Sequence, residues 1–556
     1  MILNEHLQPT SASPWQKANH AYVEAELKRL RLLLQRRVRW LRQQWHLDPL
    51  QSYQGLVISD AQADWLLVGE HRQAEARFYR EDPEAAQLGR SIAELERHLA
   101  AQQQSLAGLG IPPALEVLVH LLGLTPFERN TLLLCVAPEL DPTFERLYAY
   151  LHDDMTRKYA TPHLALSLFG GDGETWLAAR DSFLPETPLR RFRLIPLDSA
   201  PLVTAPLGTR PLRLDDRIAD YLLGINRLDE RLADLLEPLS PPLLAPHHGG
   251  LVDRLQQWIE SKAQGGVWPT LNLIGPPGGG KRAVARALCE RVNLQQYSLD
   301  VARLSLGLEL RELIGLVERE AVLLQMGIYL DATECDPTEK ATSAALNEVI
   351  EGLSVFCIVG SQRCWQTRRD MVAVPVPKPD PTAQRALWQQ ALEGIAHSLN
   401  GQLDATVQQF DLGPTAIAQA VTVAQGHARL RGSESAACVT AEDLWQACRE
   451  QASRHLDELA QRIIPCYTWE DIVLPDDIYR QLREIADQVA NRSQVYEVWG
   501  FGAKLSRGRG ISALFAGASG TGKTMAAEIL AHDLDLDLYR IDLSGVMSKY
   551  IGETEK

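Results

Sequence analysis

At 556 residues, with 45% hydrophobic and 23% charged residues, the chain has an ordinary globular composition and is too long for one core, and a prior of about 150 residues per domain points to three or four domains. A formal charge of -15 argues against a general polyanion binder. The start, MILNEHLQPTSASPW, lacks a basic stretch followed by an apolar one, and no apolar run reaches the length needed to span a bilayer; the eight scattered cysteines form no C-x-x-C pair, so reduced thiols, a cytoplasmic setting and no membrane partner are expected.

Along the chain, residues 20 to 46 place Leu27, Leu30, Leu34, Val38, Leu41 and Trp45 at spacings of three and four, which predicts a long amphipathic helix with that face buried. Its other face carries Lys28, Arg29, Arg31, Arg36, Arg37, Arg39 and Arg42; a solvated face is the plainer reading, docking of an acidic partner or nucleic acid the sharper one. From 91 to 185 the pattern stays helical, with a start signal at Thr125-Pro126. His152, Asp153 and Asp154 are adjacent in sequence, and adjacent helical side chains diverge, so no shared metal ion is expected. Near 189 to 225, LRRFRLIPLD and RPLRLDDRIADYLLG read as two short strands and a helix capped near Asp215, which fits a winged-helix-like unit. EPLSPPLLAPHHGG, 237 to 250, concentrates proline and glycine and reads as a linker.

Beyond it the chain changes character. TLNLIG leads into GPPGGGKR and a helix, and ALFAG leads into GASGTGKT and a helix, so one strand, loop and helix unit occurs twice. In the G-x-x-x-x-G-K-[ST] pattern, backbone N–H groups surround phosphate oxygens, the lysine reaches the outer phosphates and the hydroxyl binds Mg²⁺. GASGTGKT satisfies every position: Gly517, Ala518, Ser519, Gly520, Thr521 and Gly522 form the turn, Lys523 supplies charge and Thr524 the Mg ligand. The first loop keeps Gly275, Gly278, Gly280 and Lys281 but has Arg282 at the hydroxyl position. In GIYLDATECD, Asp331 ends an apolar strand but Ala332 follows where a water-polarising glutamate is needed, and Glu334 is offset by two residues. VFCIVGSQR adds a buried strand with Ser361 or Gln362 as a polar sensor candidate. The first unit therefore reads as a P-loop fold without catalysis, its nucleotide binding open. Residues 382 to 455 read as helical.

These residues resemble the AAA family of AAA+ ATPases, most closely from Trp469 onward, where TWEDIVLPDDIYRQLREI, the second loop and LYRIDLSGVMSKYIGETEK follow one another. The resemblance implies an α/β P-loop NTPase fold in tandem modules, ATP and Mg as cofactors, and a homo-hexamer. It also implies a pore loop, Lys549, Tyr550, Ile551 and Gly552, that grips a protein substrate through the aromatic ring. Residues 267 to 455 resemble an AAA+ module more loosely. The whole arrangement is similar to bacterial tandem AAA ATPases with a helical, winged-helix-like N-terminal region, some of them associated with phage-tail-like contractile injection systems.

The expected organisation is a mainly helical region (1–236), a linker (237–250), a degenerate AAA+ P-loop module (251–381), a helical lid (382–455) and the N-terminal part of a second AAA module (456–556). The sequence ends after the pore loop. On the resemblance, the catalytic residues of the second module are expected beyond Lys556, the 556 residues alone are expected to be inactive, and the longer protein is expected to hydrolyse ATP in remodelling or threading proteins. Two other readings stand beside it: an assembly scaffold gated by nucleotide, and a DNA-acting AAA+ protein, which the acidic total disfavours.

Overall fold

The structure is a computed structural model that describes, apart from residue 172 and isolated residues between segments, residues 14–45, 71–108, 112–197, 205–239, 244–263, 268–301, 309–333, 340–393, 410–431, 439–453, 460–491 and 511–541. It divides into two compact units. The first comprises residues 1–239, 259–272 and 289–373; the second comprises 240–258, 273–288 and 374–556.

The first unit opens with helices α1 (Pro14–Trp45), α2 (His71–Glu81), α3 (Pro83–Gly108), α4 (Ala114–Leu122), α5 (Pro126–Leu140), α6 (Thr143–Leu151), α7 (Pro162–Phe169) and α8 (Glu174–Asp181). Leu30 and Leu34 of α1 join Leu118, Leu132, Leu134, Phe144 and Tyr148 in one apolar core, and each such side chain contributes about 1.5–3 kcal/mol by leaving water. Tyr22, Val23 and Trp40 are also buried on α1, while the Trp45 side chain lies outside the described residues. The arginines of α1 are occupied internally. Arg29 reaches Glu26 at 2.8 Å and Asn130 at 2.6 Å, Arg31 pairs with Asp141, Arg37 with Glu75, and Arg39 with Asp82 at 2.6 Å and with Glu84. Arg36 lies 4.4 Å over the Tyr79 ring. Part of the helix's polar face thus lies in a seam with α2, α3 and α5, while Lys28, Arg31 and Arg42 remain exposed.

Helix α5 begins as its sequence signals. Thr125 Oγ1 accepts from Glu128 N at 3.2 Å and Glu128 Oε2 accepts from Thr125 N at 2.8 Å, closing a capping box with Pro126 at the first helical position. The segment at 189–225 differs from expectation. Pro188–Arg191 is a short helix, α9, and the only ladder contact there among the described residues is an isolated bridge between Ala160 and Leu212. Leu189, Leu194, Ile195 and Leu197 are all buried, and Ile195 N donates to Leu189 O at 3.0 Å, so the apolar pattern reflects a loop folded into a helical core. The helix that follows, α10 (Asp216–Leu222), is capped by Asp215, whose side chain accepts from Arg217 N.

A six-stranded sheet follows, with strands β1 (Leu236–Pro238), β2 (Thr270–Ile274), β3 (Gln295–Asp300), β4 (Met326–Ala332), β5 (Cys357–Ser361) and β6 (Met371–Pro375) in the order β1-β3-β4-β5-β2-β6. β3, β4 and β5 run parallel; β4 and β5 are buried on both faces, in keeping with their mainly apolar sequence, while β3, QQYSLD, is buried only in part. Residues 236–238, at the start of the expected linker, form the antiparallel edge strand β1 against β3, with Leu236 opposite Leu299. Pro238 is tolerated there because an edge strand leaves one side unpaired.

Helix α13 (Leu310–Leu323) carries a buried charge network within this unit. Arg319, fully buried, contacts Asp229, Asp215 at 3.2 Å, Glu320 at 3.1 Å and the Arg193 carbonyl at 3.2 Å. Glu320 also accepts from Arg217 at 3.1 Å, and Glu318 takes both ends of Arg191 at 2.9 and 3.0 Å. Gly315 allows the approach: a Cβ there would stand 2.4 Å from the Arg191 carbonyl. The N-terminal helices and the sheet are therefore fastened to each other through one helix.

The second unit holds most of α11 (Gly249–Ala263), the first turns of α12 (Lys281–Arg291), and the helices α15 (Pro381–Leu392), α16 (Pro414–Arg431) and α17 (Ala441–Ser453); α14 (Lys340–Gly352) belongs to the first. Leu387, Trp388, Ile417, Ala420, Ala424, Leu444 and Ala447 pack α15 to α17 into a helical bundle within the range 382–455. Further on, β7 (Gln461–Ile463) pairs antiparallel with β8 (Leu538–Arg540), and α18 (Asp476–Ala490) and α19 (Lys523–Asp533) complete the described elements. Among the described residues no helix is long and apolar enough to cross a membrane. None of the seven described cysteines is in a disulfide.

Candidate functional site: two phosphate loops

Loop one leaves the carboxyl end of β2 and enters α12. Gly278 and Gly280 have φ of 72° and 94°, the left-handed backbone that a side chain would strain. Lys281, only 4% exposed, turns its ammonium onto the Gly275 and Pro276 carbonyls at 2.8 and 2.9 Å. Arg282, one residue on, is exposed. The loop is flanked by its own chain: a Cβ on Gly413 would come within 1.9 Å of the Gly278 carbonyl, and one on Gly275 within 2.1 Å of the Val376 carbonyl. Gly413 immediately precedes α16, so the start of this helical bundle touches the loop backbone to backbone.

Loop two enters α19 in the same posture. Gly522 caps the helix with φ 81°, and Lys523 Nζ lies 3.0 Å from Gly517 O and 2.6 Å from Ala518 O. The lysine thus engages the carbonyls six and five residues before it in both loops, a posture set by the loop itself. Thr521 Oγ1 donates to Ala518 O at 2.9 Å, Ser519 and Gly520 are exposed at the turn, and the Thr524 side chain is exposed at the mouth of the helix. Among the described residues, a Cβ placed on Gly520 or Gly522 would meet nothing within 4 Å, unlike one on Gly280 of loop one. The strand expected at 513–517 is absent, and Leu514 is 92% exposed. An extended segment becomes a strand only against a ladder partner, and no described strand lies beside it.

The remaining sequence candidates fall into three groups. Asp331 lies at the carboxyl end of β4 and accepts from Thr333 N at 3.1 Å. Ser361 is engaged structurally, accepting from Asn272 Nδ2 at 2.8 Å and donating to Arg363 O at 2.6 Å, while Gln362 donates to Thr333 O at 2.9 Å. His152 Nε2 faces Tyr159 O at 3.1 Å and Asp154 caps Thr156, so the two serve different local turns. Glu334 and the pore-loop residues Lys549, Tyr550, Ile551 and Gly552 lie outside the described residues. Sequence reading missed His248, which is 1% exposed and packs its ring against Gly280, and Gly413; neither belongs to a motif, and only the fold brings them to the loop.

Three family models match the chain: a variant winged helix domain over residues 5–236, a contractile injection system ATPase helical domain over 380–454, and the AAA family (ATPase family associated with various cellular activities) over 513–556. Among curated proteins the chain is 33% identical over 101 residues to cell division protein C of Sulfolobus acidocaldarius, covering 18% of this chain and 25% of that one. It is 33% identical over 97 residues to an AAA family ATPase of Sinorhizobium fredii, covering 17% and 27%, and 25% identical over 161 residues to the peroxisomal ATPase PEX6 of Kluyveromyces lactis, covering 29% and 15%. The chain thus spans between 15% and 27% of the length of these relatives. Among solved structures, one of katanin matches with TM-score 0.30 and 18% identity over 39% of this chain and 88% of that one. The FIGL-1 AAA domain matches with TM-score 0.30 and 14% identity over 42% and 96%. By its family matches, the chain is similar in turn to a variant winged helix domain, to a contractile injection system ATPase helical domain and, over residues 513–556, to the AAA family.

Proposed function

We propose that loop two is the Mg-ATP site of an AAA ATPase whose turnover drives protein remodelling in a homo-hexameric ring. The observation that carries this is GASGTGKT opening α19, with Lys523 held over the loop and the Thr524 hydroxyl at its edge. A bound phosphate chain would draw the Lys523 ammonium from the two carbonyls, and Thr524 and phosphate oxygens would share the Mg²⁺. In this reading the segment Lys549–Gly552 grips the substrate polypeptide through the Tyr550 ring, which packs on a backbone of any sequence. The helical-domain match over 380–454 supports service to a contractile injection system.

The test is ATP turnover by the whole protein. Lys523→Ala should abolish it, and Tyr550→Ala should leave ATP binding intact while removing stimulation by protein substrate. Turnover unchanged by Lys523→Ala would refute the motor.

A second reading, a scaffold whose assembly is gated by nucleotide with little turnover, is favoured by loop one, where Arg282 replaces the Mg ligand. Assembly completed with a non-hydrolysable ATP analogue alone separates it from the motor.

A further inference from the structure

His248 stands at the end of the turn Pro246–His248 that leads into α11, and its Nε2 lies 3.2 Å from Pro377 O. A carbonyl only accepts, so Nε2 carries the proton and Nδ1 keeps a lone pair. Burial, reinforced by the neighbouring His247, holds the imidazole down to about 4, so the ring is neutral at physiological pH. Nδ1 is buried without a hydrogen-bond partner. The ring edge faces loop one: Cε1 and Nδ1 lie 3.1 and 3.4 Å from where a Cβ on Gly280 would stand.

Gly280 immediately precedes α12, an 11-residue helix whose first N–H groups point towards the loop. Lys281 and Arg282 occupy its first two positions. A guanidinium stays charged and grips phosphate with two parallel N–H donors, and at close range it repels Mg²⁺. One place therefore combines an anion-binding end with a buried acceptor that requires a donor.

We propose that loop one binds a nucleoside di- or triphosphate without a divalent cation. The α12 N-terminus, Lys281 and Arg282 take the phosphates, and His248 Nδ1 accepts a hydrogen bond from an N–H or O–H of the nucleoside. The proposal deepens the reading of 275–282 as a phosphate loop and does not depend on catalysis at loop two.

The experiment is equilibrium dialysis of ADP against the chain carrying Lys523→Ala, in EDTA and in Mg²⁺, with thermal melts to verify folding of each further variant. One equivalent of ADP should bind equally well in both. Adding Arg282→Thr, at an exposed position, should weaken binding about tenfold in EDTA and let Mg²⁺ restore it. Adding His248→Ala should weaken ADP binding several-fold and leave inorganic pyrophosphate binding unchanged. ADP bound only with Mg²⁺ overturns the proposal and leaves the phosphate-loop reading standing; no ADP bound in either condition overturns both. Equal loss of ADP and pyrophosphate binding in His248→Ala, with the melt unchanged, overturns the nucleoside contact.

Discussion

Glu128 shows how one carboxylate serves a helix start and a core together. Burial raises its carboxyl above the ordinary 4.5, against the opposing hydrogen bonds from Thr125. A raised folded-state value stabilises most below pH 4.5, and that contribution fades as pH rises through the folded-state value. Glutamine can close the same box without titrating. In melts from pH 4 to 7, the stability of the native chain relative to Glu128→Gln should therefore fall as pH rises; a difference independent of pH would contradict the assignment. Arg319 carries the larger stake. Its removal in Arg319→Met leaves buried carboxylates of Asp229 and Glu320 short of a partner, a loss of about 3–5 kcal/mol in urea unfolding of the first unit. Arg319→Lys should recover little of it, since one ammonium cannot span the contacts that the planar fork makes to Asp215, Asp229 and Glu320. A variant within 1 kcal/mol of the parent, an ordinary surface effect by magnitude, would show the network to be dispensable.

Among the elements, the start of α5 and the strands β2, β4 and β5 were legible from the sequence because period and punctuation are local, whereas β3, with QQYSLD, has no such apolar run and was not read. Thr125 and Pro126 mark a helix start, and the apolar runs of β4 and β5 mark strands buried on both sides. In 189–225 the helix start at Asp215 was legible but the two expected strands were not, since alternating apolar residues look alike in a strand and in a buried loop; among the described residues only Leu212 finds a bridge partner, Ala160, far along the chain. The arginines of α1 were legible as cations but not as paired ones, because Glu75, Asp82, Glu84 and Asp141 arrive from far along the chain. With those charges engaged, the chain should show no measurable affinity for duplex DNA through α1. Anisotropy at low salt checks this, and binding that Arg36→Ala with Arg42→Ala abolishes would contradict it. Gly315 gives a second element-scale expectation: glycine to alanine inside a helix ordinarily gains about 1 kcal/mol, yet Gly315→Ala should lower the melting temperature because the new methyl meets the Arg191 carbonyl.

At the scale of the molecule, two loops of one pattern sit in unlike surroundings. Loop one is packed by Val376, Gly413 and His248, whereas among the described residues nothing lies within 4 Å of a Cβ placed on Gly520 or Gly522 of loop two. Both loop patterns could be read residue by residue; the packing around the first could not, because it is contributed by segments 33 residues upstream and more than 90 downstream of Lys281, whose only signal is a histidine and a glycine. The proposed function places Mg-dependent ATP binding at loop two alone. The most direct measurement is calorimetric titration of the chain with Mg-ATP, in parent, Lys523→Ala and Lys281→Ala forms, each repeated in EDTA. The Mg-dependent component should vanish in Lys523→Ala and survive in Lys281→Ala. If Lys523→Ala kept that component and Lys281→Ala lost it, the roles given to the two loops would be reversed and the Mg-ATP site would belong to the first.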